Sequence, residues 1–289
     1  MSRLSRRSLL AAVPLAGAAS LARPQDSGRP VAETRTRFAA NVEMWWRKLE
    51  FLDRLRAAHD LGFAAVEFWP WKGKDIDAIA ALTSELGLEV AQFTAWGFNP
   101  GLNDPANHKR FLRTIKAGCE VAAKLRCKKM TVVGGNDQRD MTQREMHDYI
   151  IEGLKQAAPI AEANDVMLIL EPMNIRVDHK GHCLYGSEGA LRICREVDST
   201  HVKINWDLYH MQISEGDLCG RLRDGFDQVG YLQLADHPGR TEPGTGEIHY
   251  NRVLKQAWDL GYRDWVGVEC RPKTTEAAAA EGLARADVW

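Results

Sequence analysis

The sequence predicts an α/β fold, a single (β/α)8 TIM barrel. Eight short apolar runs alternate with amphipathic helical segments, which is typical of parallel strands connected by helices. A doubly wound sheet shares this alternation but carries a glycine-rich phosphate turn after its first strand, where residues 41–46 read NVEMWW here. About 250 of the 289 residues remain after an N-terminal leader, which is the usual size of one barrel. A second domain is not needed.

The predicted elements follow one another in regular order. Apolar, β-rich runs mark eight strands at residues 37–42, 64–68, 88–93, 129–133, 166–170, 202–206, 230–234 and 265–268. Apolar residues at helical spacing predict helices that include residues 49–60, 76–86, 107–125, 142–163 and 251–260. Gly62, Gly87 and Gly261 stand where three of these helices end, as glycine often does.

The first 22 residues are predicted to be a targeting signal outside the fold. Arg3, Arg6 and Arg7 precede an apolar run over residues 9–21. The segment SRRSLL resembles a twin-arginine export signal, which implies transient contact with the twin-arginine export machinery and a periplasmic location. An ordinary signal peptide or a fortuitous basic start are the alternatives. Residues 23–36, rich in proline, glycine and charge, predict a disordered tether, and residues 37–289 form the barrel domain.

The composition favours a small molecule as the partner. Lys and Arg number 38 against 39 Asp and Glu, so the chain has no global field that would attract nucleic acid. No apolar run after the leader approaches the roughly 20 residues that span a bilayer. The six cysteines include no CxxC pair, and we expect buried free thiols, with Cys183 and Cys194 as the pair to test for a disulfide.

Polar residues end the last four predicted strands, and they are the strongest functional signal in the chain. Glu171, Asp207, Gln233 and Glu269 each stand at or just after the end of an apolar run. The carboxyl ends of barrel strands meet at one face, where TIM-barrel enzymes have their active sites. Three carboxylates and an amide oxygen suit a hard divalent cation. The alternative is that each acid caps a loop or pairs with a surface arginine.

Six segments resemble the hydroxypyruvate isomerase family and together cover nearly all of residues 37–272: RFAANVEMWW, FLDRLRAAHDLGFAAVEF, LEPMN, WDLYHMQISEGDL, HPGRTEPGTGEIHY and GVEC. This family belongs to the xylose isomerase-like TIM barrels. The resemblance implies that the four strand-end residues hold Mg²⁺ or Mn²⁺, with Co²⁺ also compatible, and that Glu171 and Glu269 are the acid–base pair. In the related ketose 3-epimerases the third ligand is usually His, so Gln233 matches the isomerases.

Further residues are predicted to contact the substrate. His210 lies three residues after Asp207, and the resemblance supports its hydrogen bond to a substrate oxygen; a satisfied structural histidine is the alternative. Arg240 can grip a carboxylate with two N–H groups, or form an ion pair that orders its loop. His237 is either a substrate contact or a loop-packing residue. Glu67, at the end of the second strand, either supports the site or accepts hydrogen bonds behind it.

Six tryptophans at or just past strand ends predict an aromatic wall around the metal, although about half of them would instead pack the barrel rim. They are Trp45, Trp46, Trp69, Trp71, Trp96 and Trp206. Such a wall leaves room for a substrate larger than a three-carbon acid, namely a keto-sugar or sugar acid. Trp206, which directly precedes Asp207, is predicted to contact that substrate.

Three functions are compatible with these residues. The first is isomerisation of a hydroxy-ketone to a hydroxy-aldehyde through an enediolate, for which the resemblance implies hydroxypyruvate and tartronate semialdehyde. The second is 3-epimerisation of a ketose, and the third is non-catalytic binding of a sugar after export. A barrel endonuclease is disfavoured because it would need more histidine ligands for zinc and a basic face. Barrels of this kind often form homo-oligomers through their outer helices.

Overall fold

Eight parallel strands close into one barrel in the computed structural model, which describes residues 29–289. The strands β1 to β8 are Arg37–Asn41, Ala65–Phe68, Glu89–Trp96, Lys129–Val133, Met167–Glu171, Val202–Asp207, Val229–Leu234 and Trp265–Val268. Each strand pairs with the next along the chain, and β1 pairs with β8 to complete the ring. The predicted fold class is confirmed, and β3 runs to Trp96, further than the predicted end at residue 93.

Helices follow the strands and cover the outside of the barrel. They are α1 to α9, at Phe51–Asp60, Ile76–Leu86, His108–Leu125, Gln143–Ala163, Ser187–Val197, Leu208–Ser214, Leu218–Gly225, Tyr250–Asp259 and Glu276–Ala286. The longest, α4, begins at a capping box in which Thr142 and Glu145 satisfy each other's backbone N–H groups. Gly62, Gly87 and Gly261 have positive φ, in agreement with their predicted role at helix ends.

Buried side chains form two clusters, one between strands and helices and one inside the barrel. The inner cluster contains Ala39, Ala65, Ala91, Ile169, Tyr231 and Trp265. Because side chains alternate along a strand, Asn41 shares the face of Ala39 and Glu67 shares the face of Ala65. The alanines therefore leave space within the ring. The polar side chains of Asn41 and Glu67 occupy the half that lies nearer the carboxyl ends of the strands.

The structure describes only part of the N-terminal segment for which predictions were made. The predicted signal and residues 23–28 of the predicted tether lie outside the described residues. Residues 29–36 form a turn that contacts the barrel, because Val31 is buried and the Thr36 backbone N–H donates to Asp287 at 3.2 Å. Among residues 29–289 no helix is long and apolar enough to cross a membrane. All six cysteines are free thiols, and Cys183 is not bridged to Cys194.

Gly267→Ala tests the tight space inside the ring. A Cβ at this position in β8 would lie 2.2 Å from Oε2 of the buried Glu67. We expect the free energy of unfolding to fall by about 1–3 kcal/mol, because an overpacked buried site has no room to relax. Urea titration measures the change. Gly97→Ala is the matched control, since its Cβ would meet nothing within 4 Å; equal stability of the two variants would contradict the packing argument.

Candidate active site

Three carboxylates and one imidazole meet at the carboxyl end of the barrel. Glu171 ends β5, Asp207 ends β6, and Glu269 directly follows β8. One oxygen of each, together with a ring nitrogen of His210, lies within 4.8 Å of the others. All four residues are buried. The predicted convergence of these acids is therefore present, and the cluster can hold a metal ion.

Two atoms of the cluster have no hydrogen-bond partner among the described residues. They are Oδ2 of Asp207 and Nε2 of His210, which lie 3.6 Å apart. The other oxygen of Asp207 accepts the backbone N–H of Tyr209 at 2.8 Å. Nε2 of His210 also lies 3.9 Å from Oε1 of Glu171. Buried polar atoms without partners are costly, so their convergence fits a centre where a cation and a substrate bind.

The tautomer of His210 follows from its neighbour Asn174. The side-chain oxygen of Asn174 accepts the backbone N–H groups of Val177 and Asp178 at 3.0 and 3.1 Å. Its amide nitrogen therefore faces Nδ1 of His210, at 2.7 Å. Nδ1 is the acceptor, and the ring proton lies on Nε2. Burial, followed by the charge of Arg240, keeps the pKa of His210 well below its usual value, so the ring is neutral and its N–H lies beside Asp207 and Glu171.

Gln233 stands beside this cluster, paired in register with Asp207 on the neighbouring strand. Its amide nitrogen donates to Glu67 at 2.8 Å, and its amide oxygen accepts from Asn205 at 2.6 Å. An amide oxygen has two lone pairs, so one remains available for a cation. With the proton of His210 on Nε2, the oxygen of Gln233 is the better fourth metal donor; its predicted ligand role stays a prediction.

Glu67 lies behind the cluster and does not line the substrate cavity. It is fully buried, and its carboxylate accepts four hydrogen bonds, from Asn41, Gln92, Tyr231 and Gln233. Burial raises its pKa to about 7, and repulsion from Glu269 adds to the shift. Of the two predicted roles for Glu67, the structure supports the hydrogen-bond acceptor that holds Gln233 and not the direct substrate contact.

Glu269 is fixed by a different pair of donors. The indole N–H of Trp69 donates to one oxygen at 2.8 Å, and Arg240 donates to the other at 2.5 Å. The guanidinium of Arg240 also lies over the ring of Tyr209 at 5.1 Å and 4.0 Å from Oδ1 of Asp178. Its Nε is buried and has no partner among the described residues. Arg240 therefore forms an ion pair at the site while other N–H groups of its guanidinium, Nε–H among them, remain available.

A cavity of about 310 Å³ opens above these groups. Its lining includes Glu171, His210, Arg240 and Glu269, together with Trp69, Pro70, Thr94, Gly97, Phe98, Val133, Met173 and His179. Sequence reasoning missed His179, whose ring stacks on Phe98 with centroids 4.9 Å apart. Both residues come from loops after strands and carry no motif, so only the loop fold identifies them.

Two predicted substrate contacts lie elsewhere. Trp206 is fully buried outside the ring, against Gly225, where an added Cβ would lie 2.7 Å from the indole. The reason is the alternation of β6, which turns Asp207 inward and therefore Trp206 outward. His237 also does not line the cavity; its ring packs 5.9 Å from that of Tyr209. Of the predicted tryptophan wall, Trp69 alone lines the cavity.

The electrostatics of the cluster favour a bound cation. Burial and repulsion from Glu269 and Asp207 raise the pKa of Glu171 well above its usual value. Burial and Glu269 likewise raise the pKa of Asp207 to about 8, against a weaker opposing effect of Arg240. A divalent cation among three oxygen donors offsets both costs, so the residues present fit such an ion.

Stability without added metal is expected to fall as pH rises from 7 to 8. Acids with raised pKa values stay partly protonated in the folded state after the unfolded chain has released its protons, so unfolding becomes easier as pH rises. Each retained proton contributes a slope of about 1.4 kcal/mol per pH unit. Above pH 7 the histidines with lowered pKa values are largely neutral in both states. Thermal melts in chelator at several pH values measure the slope.

Addition of Mn²⁺ or Mg²⁺ is expected to raise the melting temperature most at pH 8 and to flatten the slope. Asp207→Asn is the matched variant, because it removes one charge of the cluster and is expected to weaken both effects. A slope that the cations leave unchanged would contradict metal binding at this cluster.

The chain matches known proteins over most of its length. Residues 55–287 match the family described as xylose isomerase-like TIM barrel. The hydroxypyruvate isomerase of Escherichia coli (strain K12) is 33% identical over 248 residues, which cover 84% of this chain and 96% of that protein. The 2-oxo-tetronate isomerase of Cupriavidus necator is 34% identical over 249 residues, which cover 84% and 95%.

A solved structure, that of an AP endonuclease, family 2, from Brucella melitensis, superposes with a TM-score of 0.81 at 26% identity. The match covers 86% of this chain and 98% of that one. The family match and the two curated relatives identify the same family. The chain belongs to the hydroxypyruvate isomerase family of xylose isomerase-like TIM barrels, and it is an isomerase.

Proposed function

We propose that this chain is a divalent-metal-dependent isomerase of small 2-oxo acids that carry a hydroxyl on C3. Hydroxypyruvate, converted to tartronate semialdehyde, is the simplest such substrate, and a related keto-sugar is the larger alternative. The observation that carries the proposal is the pair Glu171 and Glu269 lining one cavity with Arg240 and His210, each of which has a buried ring or guanidinium nitrogen without a partner among the described residues. The names of the curated relatives support the same class of substrate.

The reaction needs proton transfers and no oxidant. A base removes a proton from C3 of hydroxypyruvate, which leaves an enediolate across C2 and C3. A proton is then returned to C2, and the hydroxyl proton passes from the oxygen on C3 to the oxygen on C2. The product has the same atoms, with an aldehyde at C3. Two carboxyl groups beside one substrate suit this chemistry, because one removes the carbon-bound proton and the other returns one.

The residues around the pair assign the remaining roles. Trp69 and Arg240 hold both oxygens of Glu269, which fixes the direction of that carboxylate. The Nε2–H of His210, which lies beside Asp207 and Glu171, can donate to the substrate oxygen that becomes negative. The cavity of about 310 Å³ is at the small end of ligand sites, which favours a small acid over a larger sugar.

Glu171, Asp207, Glu269 and the amide oxygen of Gln233 would hold the metal, for which Mg²⁺ or Mn²⁺ is proposed and Co²⁺ is compatible. When bound, a divalent cation supplies positive charge that lowers the energy of negative substrate oxygens. Arg240 separates the two enzymatic candidates, since a substrate carboxylate gives its guanidinium a partner and a neutral ketose does not. Export by the twin-arginine route, a periplasmic location and homo-oligomer formation stay predictions of the sequence.

Glu171→Gln and Glu269→Gln are each expected to lower turnover by roughly 10²–10⁴-fold while the protein stays folded, because an amide neither removes nor returns a proton. Proton NMR in D2O with Mg²⁺ measures deuterium incorporation next to the carbonyl. Hydroxypyruvate, a four-carbon 2-oxo acid and ketoses such as D-fructose and D-tagatose are supplied separately.

Measurements of bound metal, with and without a chelator, distinguish a variant that has lost proton transfer from one that has lost the metal ion. Near-normal exchange in either glutamine variant would sink the two-carboxylate mechanism. Exchange with ketoses alone would transfer the assignment to a ketose 3-epimerase. No exchange with any of these compounds, despite bound metal, would favour a binding protein.

Trp69→Phe is expected to lower kcat by about 10-fold with little loss of stability. Phenylalanine keeps the aromatic wall but removes the N–H that orients Glu269, so the base samples unproductive directions. Steady-state kinetics with hydroxypyruvate measures the effect. Trp71→Phe is the control, because the indole N–H of Trp71 has no partner among the described residues and Trp71 does not line the cavity. An equal loss in both variants would indicate general packing and exclude an orienting role for Trp69.

A further inference from the structure

The loop between β7 and α8 folds around one buried carboxylate, that of Asp236. Asp236 is fully buried and does not line the substrate cavity. It accepts five main-chain N–H groups at 2.8–3.1 Å, which belong to His237, Gly244, Thr245, Gly246 and Ile248. Five donors on one carboxylate satisfy it fully and connect both halves of the loop to a single point.

The same loop carries Arg240 in an unusual backbone conformation. Its φ is +54°, a left-handed value that residues other than glycine seldom adopt. The flanking main chain holds it there, because the backbone N–H of Asp236 donates to the carbonyl of Thr241 at 2.7 Å and that of Arg271 donates to the carbonyl of Arg240 at 2.9 Å. The direction in which the Arg240 side chain leaves the loop is therefore set by the fold of the loop.

Other contacts also support the loop, among them the bond between the hydroxyls of Thr241 and Thr245 at 2.6 Å and the backbone N–H of Glu247, which donates to the carbonyl of His237 at 2.7 Å. Pro238, Gly239, Gly244, Gly246 and Glu247 are exposed, so apolar burial contributes little along these stretches. An added Cβ at Gly246 would lie 2.3 Å from the carbonyl oxygen of His237, which indicates how closely the two sides of the loop approach. Without the carboxylate, N–H groups from both sides would lose their common acceptor.

We propose that Asp236 is a positioning residue for substrate recognition. It holds the loop so that Arg240 reaches Glu269 with one N–H and presents Nε–H to the carboxylate of the substrate. Asp236 touches neither the substrate nor the guanidinium and acts through the loop backbone alone. The inference rests on the proposed function in one respect, namely that Arg240 binds the carboxylate of a 2-oxo acid.

Asp236→Asn tests the proposal in the full chain. Whichever way the amide is turned, its NH2 group faces backbone N–H donors, so two or three of the five hydrogen bonds are lost. We expect KM for hydroxypyruvate to rise by about 10-fold or more, because the carboxylate anchor is displaced. Because Arg240 also holds Glu269, kcat is expected to fall as well, by no more than the loss of about 10-fold expected of Trp69→Phe, since the indole N–H of Trp69 still holds that carboxylate. Asp287→Asn is the matched control, since Asp287 is also buried and accepts backbone N–H groups, of Arg35 and Thr36, near the N-terminal end of β1.

A double-mutant cycle with Arg240→Gln separates positioning from general stability. If Asp236 acts through Arg240, Asp236→Asn adds no further rise in KM once Arg240 is replaced. Equal effects of Asp236→Asn in both backgrounds, or an unchanged KM in the single variant, would overturn the proposal.

Hydrogen exchange of residues 236–249 supplies a readout that needs no substrate. Asp236→Asn is expected to accelerate exchange either at the amides of Gly244, Thr245 and Gly246, which donate to one oxygen, or at those of His237 and Ile248, which donate to the other, according to which oxygen the NH2 group replaces. Asp287→Asn leaves all five amides protected. Unchanged protection in Asp236→Asn would overturn the role of Asp236 in holding the loop. A wild-type protein that isomerises no 2-oxo acid would instead refute the proposed function, and the exchange data would still decide whether Asp236 holds the loop.

Discussion

The repulsion among three buried carboxylates is the constraint on which the site depends. Glu171, Asp207 and Glu269 end three strands of a closed ring, so the hydrogen-bonded sheet prevents them from moving apart. Two like charges 4 Å apart repel by about 4 kcal/mol at an effective dielectric constant of 20, and burial adds to the cost. Arg240 compensates part of this through Glu269. The remainder favours protonation or a bound cation, and the unpaired oxygen of Asp207 favours the cation.

The interior of the barrel is built to support that cluster from below. Alanines on the first strands leave space within the ring, and Glu67 uses that space to accept hydrogen bonds from four surrounding side chains. Gly267 has no side chain because the carboxylate of Glu67 occupies the volume that a Cβ would need. The position of Gln233 in turn depends on Glu67, which holds its amide nitrogen. A layer of polar side chains thus lies between the apolar cluster inside the barrel and the site.

The sequence predicted the strands and the acids that end them, because apolar runs end abruptly at Glu171, Asp207 and Glu269 and because strand ends of a barrel share one face. It failed where the outcome depended on which side of a strand a residue faces. Trp206 and Asp207 are adjacent, yet one packs against helices and the other enters the site, and a strand buried on both faces gives no alternation to read. His179 and Phe98 were missed because long loops bring them together. The tautomer of His210 depends on Asn174, which lies 36 residues away, and no local pattern encodes it.

The contrast between satisfied and unsatisfied polar groups locates the function within this fold. Asp236 has five donors and Glu67 has four, so these carboxylates are complete within the protein and serve to hold it in place. Asp207, His210 and Arg240, all close to the cavity, each keep one buried polar atom without a partner among the described residues. A folded chain tolerates such atoms when other interactions stabilise it, and here the saturated carboxylates lie directly beside the unsaturated groups. The saturated carboxylates therefore hold the geometry around the site. The polar atoms near the cavity that lack a partner are available to an ion and an oxygen-rich substrate.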